Sequence, residues 1–194
     1  MKILITGGAG FIGSHLSERL IQENHSIIII DDISTGNMEN LKGILGNRNV
    51  EFVHGNILDE VLVESLMEKA EGCIHLGAAL GVKRILERPY ESLVANTHGT
   101  EIVVKSAAKN NVKFFLASTS ELYGKNPIQP LNENSDRVIG SPQLVRWAYS
   151  EAKAIDESVV QMFSQSHRLK YVTGRFFNTV GPRQSGAYGM VLPR

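Results

Sequence analysis

Lys2-Ile3-Leu4-Ile5-Thr6-Gly7-Gly8-Ala9-Gly10-Phe11-Ile12-Gly13 opens the chain, and its reading decides the fold. Lys2–Thr6 is a short, β-branched, mostly apolar run, the pattern of a strand buried in a parallel sheet. Gly7, Gly8, Gly10 and Gly13 follow at once, and Phe11 to Glu23 then has helical spacing, with Phe11, Ile12, Leu16, Leu20 and Ile21 apolar. Strand, glycine loop and helix in this order form the context in which glycines serve a dinucleotide. Gly7 supplies the backbone freedom of a tight turn. Gly10 lets a pyrophosphate approach the main chain without meeting a Cβ, and Gly13 lets the helix pack closely on the strand. The phosphates then lie at the positive end of the helix dipole, against N–H groups that have no partner in the first turn.

The next apolar run, Ser26 to Ile30, ends in Asp31-Asp32, with Asp31 18 residues past Gly13. A carboxylate at that strand end accepts hydrogen bonds from the adenosine ribose hydroxyls and repels a 2′-phosphate, so the spacing predicts NAD rather than NADP. The alternative is an α/β protein with a tight glycine turn and no nucleotide. Strand, glycines, helix, second strand and acid agree on the nucleotide.

The rest of the composition suits one soluble globular domain. The chain has 194 residues, zero formal net charge and 42% hydrophobic residues, enough for a sizeable core. No basic stripe points to nucleic acid or an anionic membrane surface, and the longest aliphatic run, Ile27 to Ile30, is far too short to span a bilayer. The single cysteine, Cys73, sits in an apolar run and reads as a buried thiol, and the first strand begins without room for a signal peptide. Both predict a cytoplasmic protein. The six histidines show no metal-ligand spacing, so no metal is expected.

Further along, Val50–His54, Gly72–Leu76, Val112–Ser118 and Leu169–Phe177 read as strands. Leu58–Ala70 (Asp59 as N-cap), Tyr90–Asn110 and Leu144–His167 read as helices, with a short helix near Met38–Leu45. Gly77–Pro89 reads as a loop rich in small residues, with or without a short helix, and Glu121–Gln143 as irregular. Alternating strands and helices mean a doubly wound, Rossmann-like parallel sheet, with ligands at the C-terminal ends of the strands. The fifth strand ends in Ser118-Thr119-Ser120-Glu121, and the long helix that follows carries Tyr149 and Lys153. These two are four apart and share one helix face. A free phenol has a pKa of ~10. An ammonium beside it, with a positive nicotinamide ring, favours the phenolate and would make Tyr149 a general base. Thr119 can hydrogen-bond the same substrate hydroxyl. An ordinary exposed Tyr/Lys pair is the competing reading, and the nucleotide motif ahead of it weighs against that. Glu121 is either a solvated loop acid or a second acid–base group beside Thr119.

Thr6-Gly7-Gly8-Ala9-Gly10-Phe11-Ile12-Gly13, Asn96 ahead of Gly99-Thr100, Ser118-Thr119-Ser120, Tyr149/Lys153, Arg175-Phe176-Phe177-Asn178 and Gly181-Pro182-Arg183 together resemble the extended short-chain dehydrogenase/reductases, and within them the nucleotide-sugar epimerases, dehydratases and decarboxylases. The resemblance covers essentially the whole chain. It implies a cofactor site of Gly7, Gly10, Phe11, Ile12, Gly13, Asp31, Asp32, Ser34, Gly36, Asn56, Ile57, Leu76, Ala78, Asn96, Tyr149 and Lys153. It implies a catalytic set of Thr119, Tyr149, Lys153 and Glu121, with Thr119, Asn178, Met190 and Val191 meeting the nucleotide sugar. Asn96 would support the active-site helix and its waters. Where the family usually has an aspartate reading the adenine amine, this chain has Asn56, which still offers a carbonyl acceptor. Family members continue into a small C-terminal substrate domain. Residues 1–180 are therefore read as the NAD-binding domain and 181–194 as the start of a truncated substrate domain.

The resemblance also implies chemistry through a 4-keto sugar: Tyr149 deprotonates the sugar 4-hydroxyl, hydride passes to NAD, and Lys153 holds the nicotinamide ribose. A 4-epimerase acting on a UDP-hexose is the first expectation. A UDP-glucuronate decarboxylase, suggested by Thr119-Ser120-Glu121 and Arg146-Trp147-Ala148-Tyr149, is the alternative. A 4,6-dehydratase is disfavoured because Ser120 stands where dehydratases have an acidic residue. A non-catalytic NAD sensor or scaffold on the same fold is the rival from another class, but such proteins commonly lose the Tyr/Lys pair. Family members often form homodimers through the two long helices, and Ile102, Val103, Val159, Val160 and Phe163 are the apolar residues expected to line that contact.

Overall fold

The structure is a computed structural model that describes residues 1–78 and 89–186. Its centre is a sheet of six parallel strands: β1 (Lys2–Thr6), β2 (Ser26–Asp31), β3 (Val50–His54), β4 (Gly72–His75), β5 (Lys113–Thr119) and β6 (Tyr171–Phe176). They lie in the order β3-β2-β1-β4-β5-β6. In register, Thr6 pairs with Ile30 on one side and with His75 on the other, so β1, β2 and β4 end level. The order reverses between β1 and β4, which is the switch point where such a sheet opens a crevice for ligands.

Among the described residues, four α-helices cover the faces: α1 (Phe11–Gln22), α2 (Glu60–Met67), α3 (Pro89–Lys109) and α4 (Ala148–His167). The unbroken isoleucine run of β2 follows from this double cover. Ile27 and Ile29 point to one face, where they join Ile3, Ile5 and Leu20 of α1. Ile28 and Ile30 point to the other, with Leu4, Leu116, Val103 of α3 and Val160 of α4. Alternate side chains must both be apolar when neither face meets water. Cys73 is a buried free thiol in this core, and burial pushes its pKa up.

Asp59 caps α2 as expected, accepting the Leu62 N–H at 3.0 Å. The helix expected from Leu144 is two elements. Val145–Trp147 is a 3₁₀ turn and α4 begins at Ala148. The break follows burial: Trp147 is buried while Leu144 and Val145 are exposed, so the turn's apolar face does not continue that of α4. Arg146 stacks on the indole at 4.6 Å and Lys125 lies 5.7 Å from its centroid. The short helix near Met38 is a single 3₁₀ turn, Met38–Leu41. The loop expected over residues 77–89 lies mostly outside the described residues.

The apolar stripe expected on the long helices is not at the surface. Ile102, Val103 and Val160 are buried core residues, and Val159 and Phe163 pack against that core. These positions face the sheet. The exposed apolar residues of α3 and α4 are Tyr90, Leu93, Ile155 and Met162. Among the described residues no helix is long and apolar enough to cross a membrane, and no group of acidic, histidine or cysteine side chains could hold a metal.

Candidate functional site

The loop after β1 is shaped by backbone contacts that side chains would block. Gly7 has φ +71°, and a Cβ on it would lie 2.8 Å from the Gly77 nitrogen. A Cβ on Gly13 would strike the Gly7 carbonyl oxygen and lie 2.6 Å from Gly8 Cα. Gly10 differs: a Cβ there would meet the Gly7 oxygen at 3.2 Å and no other atom of the described residues within 4 Å outside its chain neighbours. Gly10 is also the N-cap of α1, and no side chain of the described residues caps that helix. The first-turn N–H groups at Phe11 and Ile12 therefore face an open cradle, which suits the diphosphate of a dinucleotide.

Asp31 closes the other side of the cradle. Its carboxylate is nearly buried, accepting the Ala9 N–H at 2.9 Å on Oδ2 and the Ile33 N–H at 2.8 Å on Oδ1. Burial raises its pKa, and these two hydrogen bonds oppose the rise. Each oxygen keeps a lone pair for a ribose hydroxyl. Ile33 sits at φ +56°, a conformation rarely adopted by β-branched residues, beside the hydrogen bond to Asp31. The following loop folds onto the glycine loop: Asn37 N–H and Asn40 Nδ2 both donate to the Ala9 carbonyl, and Gly36 passes so close to Asp31 that a Cβ would lie 3.0 Å from Oδ1. Ser34 N–H donates to Asp32 Oδ1 at 2.9 Å.

Asn56 is held at both ends of its amide. Its side-chain NH₂ donates to Asp32 Oδ2 at 2.8 Å and its carbonyl oxygen accepts the Leu58 N–H at 2.9 Å, which leaves that oxygen one lone pair as an acceptor. An aspartate at 56 would set two carboxylates against each other across that contact, and the amide removes the repulsion. Ile57 turns its side chain into the core, where a Cβ on Gly99 would meet it at 2.6 Å. Leu76 N–H donates to the Thr6 carbonyl at 3.1 Å and also packs in the core. Ala78 adjoins residues 79–88, which lie outside the described residues.

Beneath the crevice a buried polar chain ties the glycine loop to α3. Thr100 Oγ1 donates to the Asn96 carbonyl at 2.6 Å, so it can only accept from His75 Nε2 at 3.0 Å. His75 Nδ1 is then an acceptor, and Thr6 Oγ1 donates to it at 2.7 Å while accepting the Gly77 N–H at 2.9 Å. Every proton in the chain is assigned by this directionality. His75 is neutral: burial, then the Lys153 charge, pushes its pKa down to about 3.

At the end of β5, Thr119 is nearly buried and its Oγ1 accepts the Glu121 N–H at 3.2 Å, which leaves its own proton to donate. The Glu121 carbonyl accepts from Ser150 Oγ at 2.9 Å, joining this strand end to the start of α4. Burial raises the Glu121 carboxyl, and the Arg146 charge opposes it. Tyr149 lies beside them and shares a small crevice with Asn96 and Ser92 of α3.

The expected lowering of the Tyr149 pKa by Lys153 is absent. Burial raises the phenol, and the charges of Glu121 and Asp156 add to the rise. Lys153 has its ammonium 3.0 Å from Asp156 Oδ2 in a buried pair, and that carboxylate offsets the positive charge that would favour a phenolate. Asp156 is the residue that the spacing argument missed. The signal was present, since residues 149, 153, 156 and 160 fall on one helix face and Asp156 is the acid on it.

On the far side of α4, Arg175 of β6 grips Glu157 with two hydrogen bonds of 2.9 and 2.8 Å and donates to Tyr123 Oη at 3.1 Å. Ser118 Oγ donates to the same Glu157 at 2.6 Å. Burial would raise the Glu157 carboxyl, but its bonds to Arg175 and Ser118 outweigh that and lower it. This network locks the ends of β5 and β6 to α4. Asn178 follows in an exposed segment. That segment then returns to α1, where the Pro182 carbonyl contacts His15 Nε2 at 3.1 Å and Arg183 pairs with Glu18 at 2.7 Å. Met190 and Val191 lie outside the described residues.

Comparison with known proteins gives the same outline. The profile of the GDP-mannose 4,6 dehydratase family matches residues 4–191. The UDP-N-acetyl-α-D-glucosaminuronate decarboxylase of Bacillus cytotoxicus is 36% identical over 194 residues, covering 100% of this chain and 59% of that protein. Among solved structures, a UDP-glucose 4-epimerase of Thermotoga maritima with UDP-glucose matches with TM-score 0.86 and 34% identity, over 98% of this chain and 59% of its own. A dTDP-glucose 4,6-dehydratase of Streptomyces venezuelae with NAD bound matches with TM-score 0.90 and 27% identity, over 100% of this chain and 60% of its own. The chain thus spans about three fifths of the length of these relatives.

Proposed function

Since this chain belongs to the NAD-dependent epimerase/dehydratase family of extended short-chain dehydrogenase/reductases, we propose that it carries the NAD site and the acid–base group of an enzyme that oxidises C4 of a nucleotide sugar, a UDP-sugar by preference. The observation that carries this reading is the joining of Thr119, at the end of β5, to the start of α4 and its Tyr149 through the Glu121–Ser150 bond, on the sheet whose first strand runs into a glycine loop tied to Asp31. NAD, when bound, supplies the hydride acceptor. Tyr149 takes the proton of the 4-hydroxyl, and Thr119 donates a hydrogen bond to the same oxygen. The helix N-terminus holds the diphosphate, Asp31 holds the adenosine ribose, and Lys153 holds the nicotinamide ribose. Asn178 is assigned to the sugar nucleotide's diphosphate.

Return of hydride to the opposite face of the 4-keto sugar gives 4-epimerisation. Loss of a C5 carboxylate before return gives decarboxylation, a second reading favoured by the likeness to the Bacillus cytotoxicus decarboxylase. The partner proposed for the assembled protein is a second copy of itself, through the exposed side of α3 and α4. The deciding experiment incubates the full-length protein and NAD with UDP-glucose, UDP-glucuronate and their N-acetyl forms and reads the products by mass spectrometry and chromatography. A changed UDP-sugar of equal mass means epimerisation, and loss of carbon dioxide means decarboxylation. No change in any of them contradicts the proposal.

A further inference from the structure

Lys153 and Asp156 are respectively 2% and 0% exposed, and their charged atoms lie 3.0 Å apart. Among the described residues, neither oxygen of Asp156 has a well-aligned hydrogen-bond partner. The Thr100 hydroxyl lies beside the carboxyl, but its proton is already directed to the Asn96 carbonyl. His75 of β4 is neutral and adds no positive charge. On α4 itself, Glu157 adds negative charge and is kept ionised by Arg175, and the Tyr149 phenol is protonated. Among the described residues that act on Asp156, Lys153 is the one cation.

Lys153 has a second demand on it. In the NAD reading above, on which this inference rests, its ammonium serves the nicotinamide ribose beside Tyr149. Tyr149 lies one helical turn toward the N-terminus and Asp156 nearly one turn toward the C-terminus, so Lys153 stands between two backbone positions about 10 Å apart along the helix axis. A lysine stem is flexible enough to reach either, but one ammonium cannot neutralise Asp156 and sit on the ribose to the same extent.

We propose that Asp156 is a positioning residue that holds Lys153 in the cofactor-free protein and takes a proton from solvent when Lys153 moves to the ribose, so that NAD binding is coupled to proton uptake at this carboxyl. The charge balance is simple: the ammonium keeps its charge, and the carboxylate it leaves behind becomes a neutral acid. A carboxylate sealed from water without a cation favours its protonated form. Burial already raises this carboxyl with Lys153 in place.

The test is calorimetry of NAD binding to the wild-type protein around neutral pH, in two buffers of different ionisation enthalpy. The expected result is uptake of a substantial fraction of one proton per NAD, with Kd rising by up to about tenfold for each unit of pH. Asp156→Asn is expected to remove the uptake and flatten the pH dependence. Lys153→Met should do the same to whatever NAD binding it retains, because Asp156 is then protonated from the start; it serves as the second variant should Asp156→Asn not fold. A merely structural role for Asp156 would change stability but leave the wild-type protein without proton uptake. NAD binding with no proton uptake overturns the proposal, as does uptake that persists in Asp156→Asn. Absence of NAD binding by the wild type instead overturns the nucleotide reading, and this proposal with it.

Discussion

Tyr149→Phe is expected to lower turnover of the full-length protein by about 10²–10⁴ while leaving NAD bound. The substitution keeps the ring that shares the crevice with Asn96 and Ser92 and removes only the oxygen. In the cofactor-free chain that oxygen is a poor base: burial and the charges of Glu121 and Asp156 all hold its proton in place. The phenolate becomes accessible when positive charge arrives, and two sources are available, Lys153 released from Asp156 and the nicotinamide ring. The effect should therefore fall on kcat. Stability and NAD affinity, which rest on the glycine loop and Asp31, should change little. A variant that keeps most of its turnover would assign the proton transfer to another group, with Glu121 the next to test.

Gly13→Ala is expected to abolish measurable nucleotide binding with a single added methyl. Its Cβ would strike the Gly7 carbonyl oxygen and lie 2.6 Å from Gly8 Cα, and these are backbone atoms that cannot turn aside. Helix α1 must then move off β1. Overpacking of this kind costs about 1–3 kcal/mol, or roughly 2–12 °C in Tm for a domain of this size, and the displaced helix no longer aims its first-turn N–H groups into the cradle. Gly43→Ala is the matched control, because a Cβ there meets the Glu18 carboxylate at an ordinary 3.5 Å. Calorimetry with NAD and thermal unfolding of both variants check this. Normal NAD binding and an unchanged Tm for Gly13→Ala would mean that helix and loop do not pack as described.

The parts of the molecule that were legible are those in which one local pattern decides the outcome. The isoleucines of β2, the glycines after β1 and the acid at the end of β2 each have one satisfactory place in a doubly wound sheet, and they occupy it. The parts that were not legible depend on partners distant in sequence or on competition within one helix. The bond from the Asn56 NH₂ to Asp32, 24 residues away, is of this kind, because no local pattern points to it. Ile102, Val103 and Val160 were assigned to a surface stripe, whereas the packing of α3 and α4 on the sheet takes them all into the core. Tyr149 and Lys153 were read as a pair from their spacing. The buried acid at 156 changes what that pair can do before cofactor arrives.

The most direct measurement is a calorimetric titration of the 194-residue chain with NAD and with NADP, repeated for Asp31→Ala. The glycine cradle and Asp31 lie entirely within the described residues, so these residues should suffice for binding. NAD is predicted to bind and NADP far more weakly, because a 2′-phosphate would meet the Asp31 carboxylate. Asp31→Ala is predicted to weaken NAD and narrow the difference. Equal affinity of the wild type for the two nucleotides, or binding of neither, would contradict the assignment of this crevice as an NAD site.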